Sequence, residues 1–493
     1  MTLFLGVDVG TFETKGVITD ARGAILAEAR RQHEMIVPQP GWAEHDPDRD
    51  WWGDFVHVTR VLLATRGIDP AQIASVACSA IGPCMLPVDA DHRPLMNGVL
   101  YGVDTRAQEE IDELHGRFGQ PEIERRCGNA LTSQAVGPKI LWLKRKRPDL
   151  WARTARIGSS TTWLTYKLTG EWVCDHYTGC NYAPLYDIDA KDWTPDFGDI
   201  CPLGMLPKLL YSSEIAGHVT AAAALETGLV PGTPVTCGTI DAGAEAVSVG
   251  VRDPGDMMMM YGSTLFIIQI TAARVHDGRL WQSPWLFPGQ HAVMAGLSTS
   301  GTLTQWFREL VLPGEGRAEA FAALVAEASA VPEGARGLIC LPYFSGERTP
   351  LHDPLAKGVY FGLNLTHGRP EMFRATCEGI AMATRHITDT YAEAGVPPKR
   401  VLAVGGGVRN PPWSQATSDL TGLDQIVRRT TFGAAYGDAF LAAHAVGAVA
   451  ADGIDAWNPV DRVIPARRVA EYERLYPIYR ALYDRTRDLM AAL

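Results

Sequence analysis

Residues 3–20 read LFLGVDVGTFETKGVITD, and the organisation of the whole chain follows from them. Leu3, Leu5 and Val7 alternate with Phe4 and Gly6, then Asp8, Gly10 and Thr11 interrupt, and Lys15 to Ile18 resume an extended apolar run. Two strands joined by a tight Gly-bearing turn fit this pattern. An acid at the end of a buried strand, followed by Gly10-Thr11 and then by Thr14 and Lys15, has the chemistry of a nucleotide phosphate site. Backbone N–H groups and hydroxyls at such a turn face phosphate oxygens, while Asp8 holds a magnesium ion through water. A plain hairpin with a solvated acid at its turn has the same pattern, so the rest of the chain decides between the two.

Composition narrows the choice. A chain of 493 residues is too long for one core and implies two or three domains. Its hydrophobic fraction of 46% and charged fraction of 20% are those of an ordinary globular protein. The net charge of -11 argues against a nucleic-acid partner, because a phosphate backbone demands a basic surface. An apolar strand at the very start, and no apolar run of about 18 residues, leave neither a secretory signal nor a membrane span to expect. Nine cysteines without a CxxC pair read as reduced thiols of a cytoplasmic protein.

Outward from the hairpin, Ala24 to Met35 supplies a third strand. Arg49 to Thr65 predicts an amphipathic helix with Trp52, Phe55, Val56, Thr59 and Leu63 near one face, and Ile73 to Ser79 a short strand. Three strands, a helix and a strand form the order of a ribonuclease-H-like domain. The turn after Asp8 resembles the first phosphate loop of the actin, Hsp70 and sugar kinase superfamily. Neither a Walker GxxxxGK[ST] loop nor the dinucleotide GxGxxG occurs.

Within that superfamily, Ile81 to Cys84 and the later Asp104 and Arg106 resemble the FGGY carbohydrate kinases, which carry a sugar-contacting loop followed by a W-x-D-x-R segment. Gly102 stands at the Trp position, with Tyr101 one residue earlier. The resemblance implies that Gly82, Pro83, Cys84, Tyr101 and Asp104 line the sugar pocket, with Asp104 accepting from sugar hydroxyls; a surface Asp104–Arg106 ion pair is the alternative. Lys139 to Leu143 resembles the core of the family's first signature, and a helix with Ile140, Trp142 and Leu143 inside reads the same way.

Phosphoryl transfer asks a protein for positioning, charge neutralisation and removal of one hydroxyl proton. Gly238-Thr239-Ile240-Asp241-Ala242-Gly243-Ala244 offers a carboxylate at a strand end with no bulky neighbours. The family's G-x-x-D segment carries the base, and Asp241 matches it; a helix N-cap is the rival role. Asp256 to Thr271 repeats the opening hairpin, with a methionine-rich core strand and Gly262-Ser263-Thr264 resembling the second phosphate loop. Gly301 to Trp306 fits the position where a Gly backs the nucleotide and an aromatic packs below.

Gly358, Tyr360, Gly362, Leu363, Glu371, Met372, Ala375, Thr376 and Glu378 satisfy the family's second signature, and Cys377 alone departs from it. Glu371 to Glu393 reads as a helix. Val401 to Val404 is a strand running into Gly405-Gly406-Gly407, with Asn410 and a Pro-initiated helix beyond, in a form resembling the family's adenosine site. Glycines let the backbone pass beneath a flat ligand and the helix start offers N–H groups. Phe432 to Val449 and Arg467 to Leu493 read as helices closing the second lobe.

The expectation is an α/β protein of two ribonuclease-H-like domains, 1–250 for the sugar and the base and 251–493 for the nucleotide, with ATP in the cleft between them. The resemblance implies MgATP held by Gly10, Thr11, Thr14, Lys15, Gly262, Ser263, Thr264, Gly301, Gly405, Gly406 and Asn410, with Asp8 and Asp241 near the magnesium. Asp241 takes the proton from a small sugar or polyol; D-xylulose leads, and ribulose, fuculose and four-carbon polyols stay open. A homodimer is compatible with this reading. The rivals are an actin- or Hsp70-like ATPase switch, which has no reason to carry Asp104, Asp241 and the 358–378 set, and a sugar sensor, which needs no base.

Overall fold

β1 (Leu3–Val9) and β2 (Glu13–Asp20) form the expected antiparallel hairpin, in a register that sets Asp8 opposite Lys15. The two side chains therefore share one face of the sheet. The structure is a computed structural model that describes residues 2–197, 199–314 and 316–493. β3 (Ile25–Gln32) is shorter than expected, and His33 beyond it turns its ring onto the hairpin loop.

The expected Arg49–Thr65 helix divides into a π-helical turn at Pro47–Gly53 and α1 (Asp54–Leu63). Asp46 caps the turn by accepting from the amides of Asp48 and Arg49, and Pro47 suits the first helical position. The wider turn carries one extra residue, which rotates the apolar stripe. Asp54, Phe55, Val58, Thr59 and Leu62 are buried, and Val56 and Leu63 are half-buried against the same core.

β4 (Ile73–Ala80) runs parallel to β1 and is joined by β5 (Ile215–His218), β6 (Pro234–Thr236) and the short β7 (Thr239–Ile240). The strand order is β5-β6-β4-β1-β2-β3, with β7 also paired to β4. A second sheet holds β8 (Asp256–Tyr261), β9 (Leu265–Thr271), β10 (Trp281–Pro284), β11 (His291–Leu297), β12 (Arg400–Val404), β13 (Gln425–Arg428) and β14 (Val460–Ile464), ordered β10-β11-β9-β8-β12-β13-β14. Each sheet thus opens on a hairpin, adds a third antiparallel strand on one side and takes a parallel strand on the other. That shared order is the duplicated ribonuclease-H-like plan. Met257, Met258 and Met259 are core, as expected for a strand covered on both faces.

The helices that matter for the site are α2 (Asp241–Ser248), α3 (Gly301–Val311), α4 (Arg369–Glu393), α5 (Pro411–Thr421), α6 (Ala434–Ala445) and α7 (Ala470–Ala491). α6, expected to close the second lobe, shares a core with Met258, Ile268, Leu402 and Val404 of the second sheet and also lies across the first sheet. A methyl group on Gly6 of β1 would stand 2.0 Å from Ala435 O, and Ser75 Oγ of β4 donates to Ala442 O at 2.6 Å. α6 also crosses α2 so closely that a methyl on Gly437 would stand 1.9 Å from Ala244 O. Every residue from Ala434 to Ala443 is buried, so α6 has no solvent face to reveal its partner in the sequence. Among the described residues no helix is long and apolar enough to cross a membrane, and all nine cysteines are buried free thiols.

Candidate active site

Asp8 sits near the end of β1, in register with Ser79 of β4, whose Oγ lies 3.1 Å from Asp8 Oδ1. On the other flank of β4, Thr239 pairs with Ser79 and Ile240 with Ala80. Asp241 follows at once, so its backbone lies two strand spacings, about 10 Å, from that of β1. The N-cap rival does not hold: Ile240 occupies the cap position and makes no capping bond. One oxygen of Asp241 accepts from the neighbouring Ala242 amide at 2.7 Å, and no other protein donor reaches the carboxylate among the described residues.

Burial pushes the Asp241 carboxyl up to about 6, with Lys15 pulling the other way. Asp8 is held well above the usual carboxylate range, first by burial and then by the charge of Asp241. Two further acids, not expected from the sequence, join them. Glu245, one turn beyond Asp241, is pushed up to about 7 by burial and accepts from the Ala434 amide at the head of α6. Asp438 of α6 accepts from Ser79 N at 3.0 Å and Ser79 Oγ at 2.7 Å. Glu245 is visible in the sequence as the i+4 neighbour of Asp241 on one helix face, and Asp438 as a lone acid in an alanine-rich helix.

Among the described residues no three His, Cys, Asp or Glu side chains converge to ligate an ion by themselves. Two carboxylates of one cleft fit magnesium, which keeps several waters and is shared with substrate phosphates. Of the expected phosphate ligands, Gly10 and Thr11 form the first turn, where Gly10 N donates to Glu13 O at 3.0 Å. Lys15 lies 3.4 Å from Glu13 and in the field of both Asp8 and Asp241. Thr14 is corrected: it is fully buried and its hydroxyl donates to Asp54 Oδ2 at 3.4 Å.

In the second turn, Gly262 O accepts from Gly301 N at 3.1 Å and Ser263 O from Thr302 N at 3.0 Å, so the head of α3 clasps the carbonyls beside Thr264. A methyl on Gly301 would stand 2.4 Å from Gly262 O. Gly301→Ala is expected to displace this turn and raise the KM for ATP about tenfold with the sugar KM unchanged, as read from steady-state kinetics. Trp306, expected to pack below, is 41% exposed against Phe344. Gly405 adopts φ 96° and stands against Tyr261 at the end of β8, with Gly406 after it. Asn410 is corrected as a nucleotide contact, since its buried side chain donates to Cys377 Sγ at 3.5 Å. Pro411 and Pro412 fill the first two positions of α5, so that helix start offers no N–H groups there.

At the loop expected to contact sugar, a methyl on Gly82 would stand 2.8 Å from Ile240, so the loop with Pro83 rests on the strand that delivers Asp241. Cys84 is corrected as a polar contact: its buried thiol donates to Ile81 O at 3.3 Å, and burial pushes it up to about 12. Tyr101 is half-buried beside Thr11, Asp241 and Arg348. Its backbone carbonyl accepts from Lys139 Nζ at 3.2 Å, and burial pulls that lysine down to about 8.

Asp104 is the clearest correction. It is fully buried, with Oδ1 accepting from Arg106 Nε at 2.9 Å and Oδ2 from Ala43 N and Arg106 Nη2, both at 2.7 Å. Arg106 in turn reaches Glu44 at 2.8 Å and lies 4.0 Å over the Trp42 ring. The pair is thus interior rather than on the surface, and the carboxylate has no acceptor site to spare for a hydroxyl.

Glu347 carries a pH dependence. Its Oε1 accepts from Ser298 N at 3.0 Å and Arg348 N at 2.6 Å, its buried Oε2 has no partner among the described residues, and burial pushes the carboxyl up to about 8. An unfolded Glu titrates near 4.5, so folding takes up a proton between the two values. The stabilisation is complete below about 4.5 and is lost as the pH rises through about 8. Glu347→Gln, neutral throughout, is expected to match the parent Tm near pH 5 and exceed it by about 2 °C near pH 9. Equal Tm values at both ends of that range would contradict the assignment.

Duplicated sheets that each begin with a Gly-bearing hairpin, joined by crossing helices with a free carboxylate at the head of one, define an ATP-dependent phosphotransferase of the actin, Hsp70 and sugar kinase type. The chain belongs to the FGGY family of carbohydrate kinases: residues 3–248 match its N-terminal domain and residues 257–446 its C-terminal domain. It is 28% identical to a xylulose kinase of Escherichia coli over 99% of this chain and 100% of that one. A glycerol kinase of Corynebacterium efficiens is 30% identical over 87% and 88% of the two chains. The crystal structure of a xylulose kinase from Rhodospirillum rubrum superposes with a TM-score of 0.93 at 30% identity, covering 99% of each. The chain is therefore a sugar kinase that uses ATP.

Proposed function

We propose that the preferred substrate is a small ketose, D-xylulose first, and that magnesium accompanies the ATP. The observation that carries the mechanism is the Asp241 carboxylate, free on one side, two strands from Asp8 and ionising near neutrality. Asp241 accepts the proton of the attacking hydroxyl, a role worth on the order of 10²- to 10⁴-fold in rate. Lys15 offsets negative charge at the same place. The turns at Gly10-Thr11 and Gly262-Ser263-Thr264 hold the phosphates, and Gly405-Gly406 runs beside the adenosine. Asp8 and Asp241 are the residues that would hold magnesium, which when bound neutralises charge on the phosphates. Tyr101 and the Gly82-Pro83 loop border the sugar. Closure of the 1–250 half on the 251–493 half excludes water and suppresses ATP hydrolysis.

Support for the ketose comes from the xylulose kinases among the full-length relatives, and support for a cytoplasmic enzyme from nine buried, unpaired thiols. ADP release measured with D-xylulose, ribulose, fuculose, erythritol and glycerol is the test. Sugar-dependent release greatest with D-xylulose is expected. A polyol preferred over every ketose sinks the substrate assignment, and hydrolysis indifferent to sugar points to an ATPase switch instead.

A further inference from the structure

The turn at Gly10-Thr11 is held from behind by two histidines. His33 places Nε2 3.1 Å from Gly10 O and Nδ1 2.9 Å from Asp54 Oδ2 at the head of α1. His45 places Nε2 3.1 Å from Thr11 O, and its Nδ1 accepts from Trp51 Nε1 at 3.1 Å. The rings meet edge to face with centroids 5.0 Å apart. His33 N donates to Phe12 O and Gly10 N to Glu13 O, both at 3.0 Å. Every carbonyl from Gly10 to Glu13 therefore accepts a donor from within the protein. The amides of Thr11 and Phe12 have no protein acceptor among the described residues and remain for a ligand.

Donor and acceptor chemistry sets the state of each ring. An indole N–H only donates, so His45 Nδ1 carries a lone pair, its proton sits on Nε2, and the ring is neutral. His33 meets a carbonyl on one side and a carboxylate on the other, both acceptors, and satisfies them only with a proton on each nitrogen. Asp54 also pairs with Arg31 Nε at 2.9 Å and receives the Thr14 hydroxyl. Burial disfavours the His33 imidazolium, but Asp54, then Gly10 O and Asp50, outweigh it and raise the ring above 6.5. Neutral His45, in the short strand ahead of the turn before α1, faces it, and Glu13 and Glu34 border the groove beside it.

We propose that His33, as an imidazolium paired with Asp54, is a positioning residue for ATP: it pins the Gly10 carbonyl inward and so aims the Thr11 and Phe12 amides at phosphate oxygens. Nucleotide affinity then falls when the ring loses its proton, while sugar affinity does not. The inference rests on the turn being a phosphate loop.

The test combines an NMR titration of the His33 ring in the full chain with calorimetric ATP binding from about pH 6 to about pH 9. The His33 midpoint is expected above 6.5, with ATP affinity falling about tenfold across it. In His33→Gln, ATP binding is expected to be about tenfold weaker at pH 6 and to lose this component of the pH dependence, the subtraction removing ATP's own ionisation. Asp54→Asn is expected to shift the fall to lower pH. A wild-type midpoint at or below 6.5, or a His33→Gln profile equal to wild type, overturns the proposal; the wild-type titration decides the matter even if a variant does not fold. ATP that binds without shifting the Thr11 and Phe12 amide resonances refutes the phosphate-loop reading itself, a separate failure.

Discussion

Asp241→Asn is expected to lower kcat by about 10²- to 10⁴-fold while ATP and sugar bind within about threefold of wild type. Asparagine keeps the acceptor that Ala242 N uses at 2.7 Å and the shape of the carboxylate, so the head of α2 stays in place. What disappears is the basic oxygen, which meets no protein donor among the described residues. Because the proton is transferred only as the hydroxyl attacks, its loss falls on kcat rather than on ground-state binding. If Asp8 and Asp241 hold magnesium as proposed, the magnesium requirement should rise as well. Steady-state kinetics with calorimetric binding of each ligand measures both effects, and turnover within about fivefold of wild type would remove Asp241 from the role.

Gly437→Ala is expected to be nearly as damaging, without touching a ligand. The added methyl would stand 1.9 Å from Ala244 O, 2.8 Å from Ala244 C and 3.2 Å from Ser248 N, all backbone atoms, so no side-chain rotation relieves it. α6 and α2 must separate, at a cost of about 1–3 kcal/mol or more. Because α2 begins at Asp241 and carries Glu245, a shift of about 1 Å reaches the base, and displacements of that size cost about 100-fold in rate. A Tm lower by several degrees together with that loss of kcat is the expected result of melting curves and assays. A variant with parental Tm and kcat would mean that the helices do not cross at this contact.

Much of the architecture is legible in short stretches. Both hairpins are readable because alternation and turn chemistry act over a few residues, and the Asp241 segment and the 358–378 signature are readable through their resemblance to the family. The pattern for α1 marks a helix and finds Trp52, Phe55 and Thr59 of its buried face, but misses Val58 and Leu62, because the π-helical turn at Pro47–Gly53 has no signature in apolar spacing. The pattern for α6 marks a helix but does not show that it also lies across the first sheet, since a helix buried all round points nowhere.

The site residues divide the same way. Asp8, Gly10, Thr11, Lys15, Gly262 and Asp241 lie at strand ends and turns whose form the chain dictates locally, and the sequence alone determined their place together with the family and the duplicated sheets. Thr14, Asp104 and Asn410 look equally polar in the sequence, and only the tertiary structure turns them inward. Their partners lie elsewhere in the chain: Thr14 and Asp54 are 40 residues apart, Ala43 and Asp104 are 61, Cys377 and Asn410 are 33. Ser79 and Asp438, 359 residues apart, meet only because α6 crosses to the first sheet. A side chain's availability to a ligand depends on which buried donors and acceptors it must satisfy, and those are assembled by packing across long sequence separations rather than by local pattern.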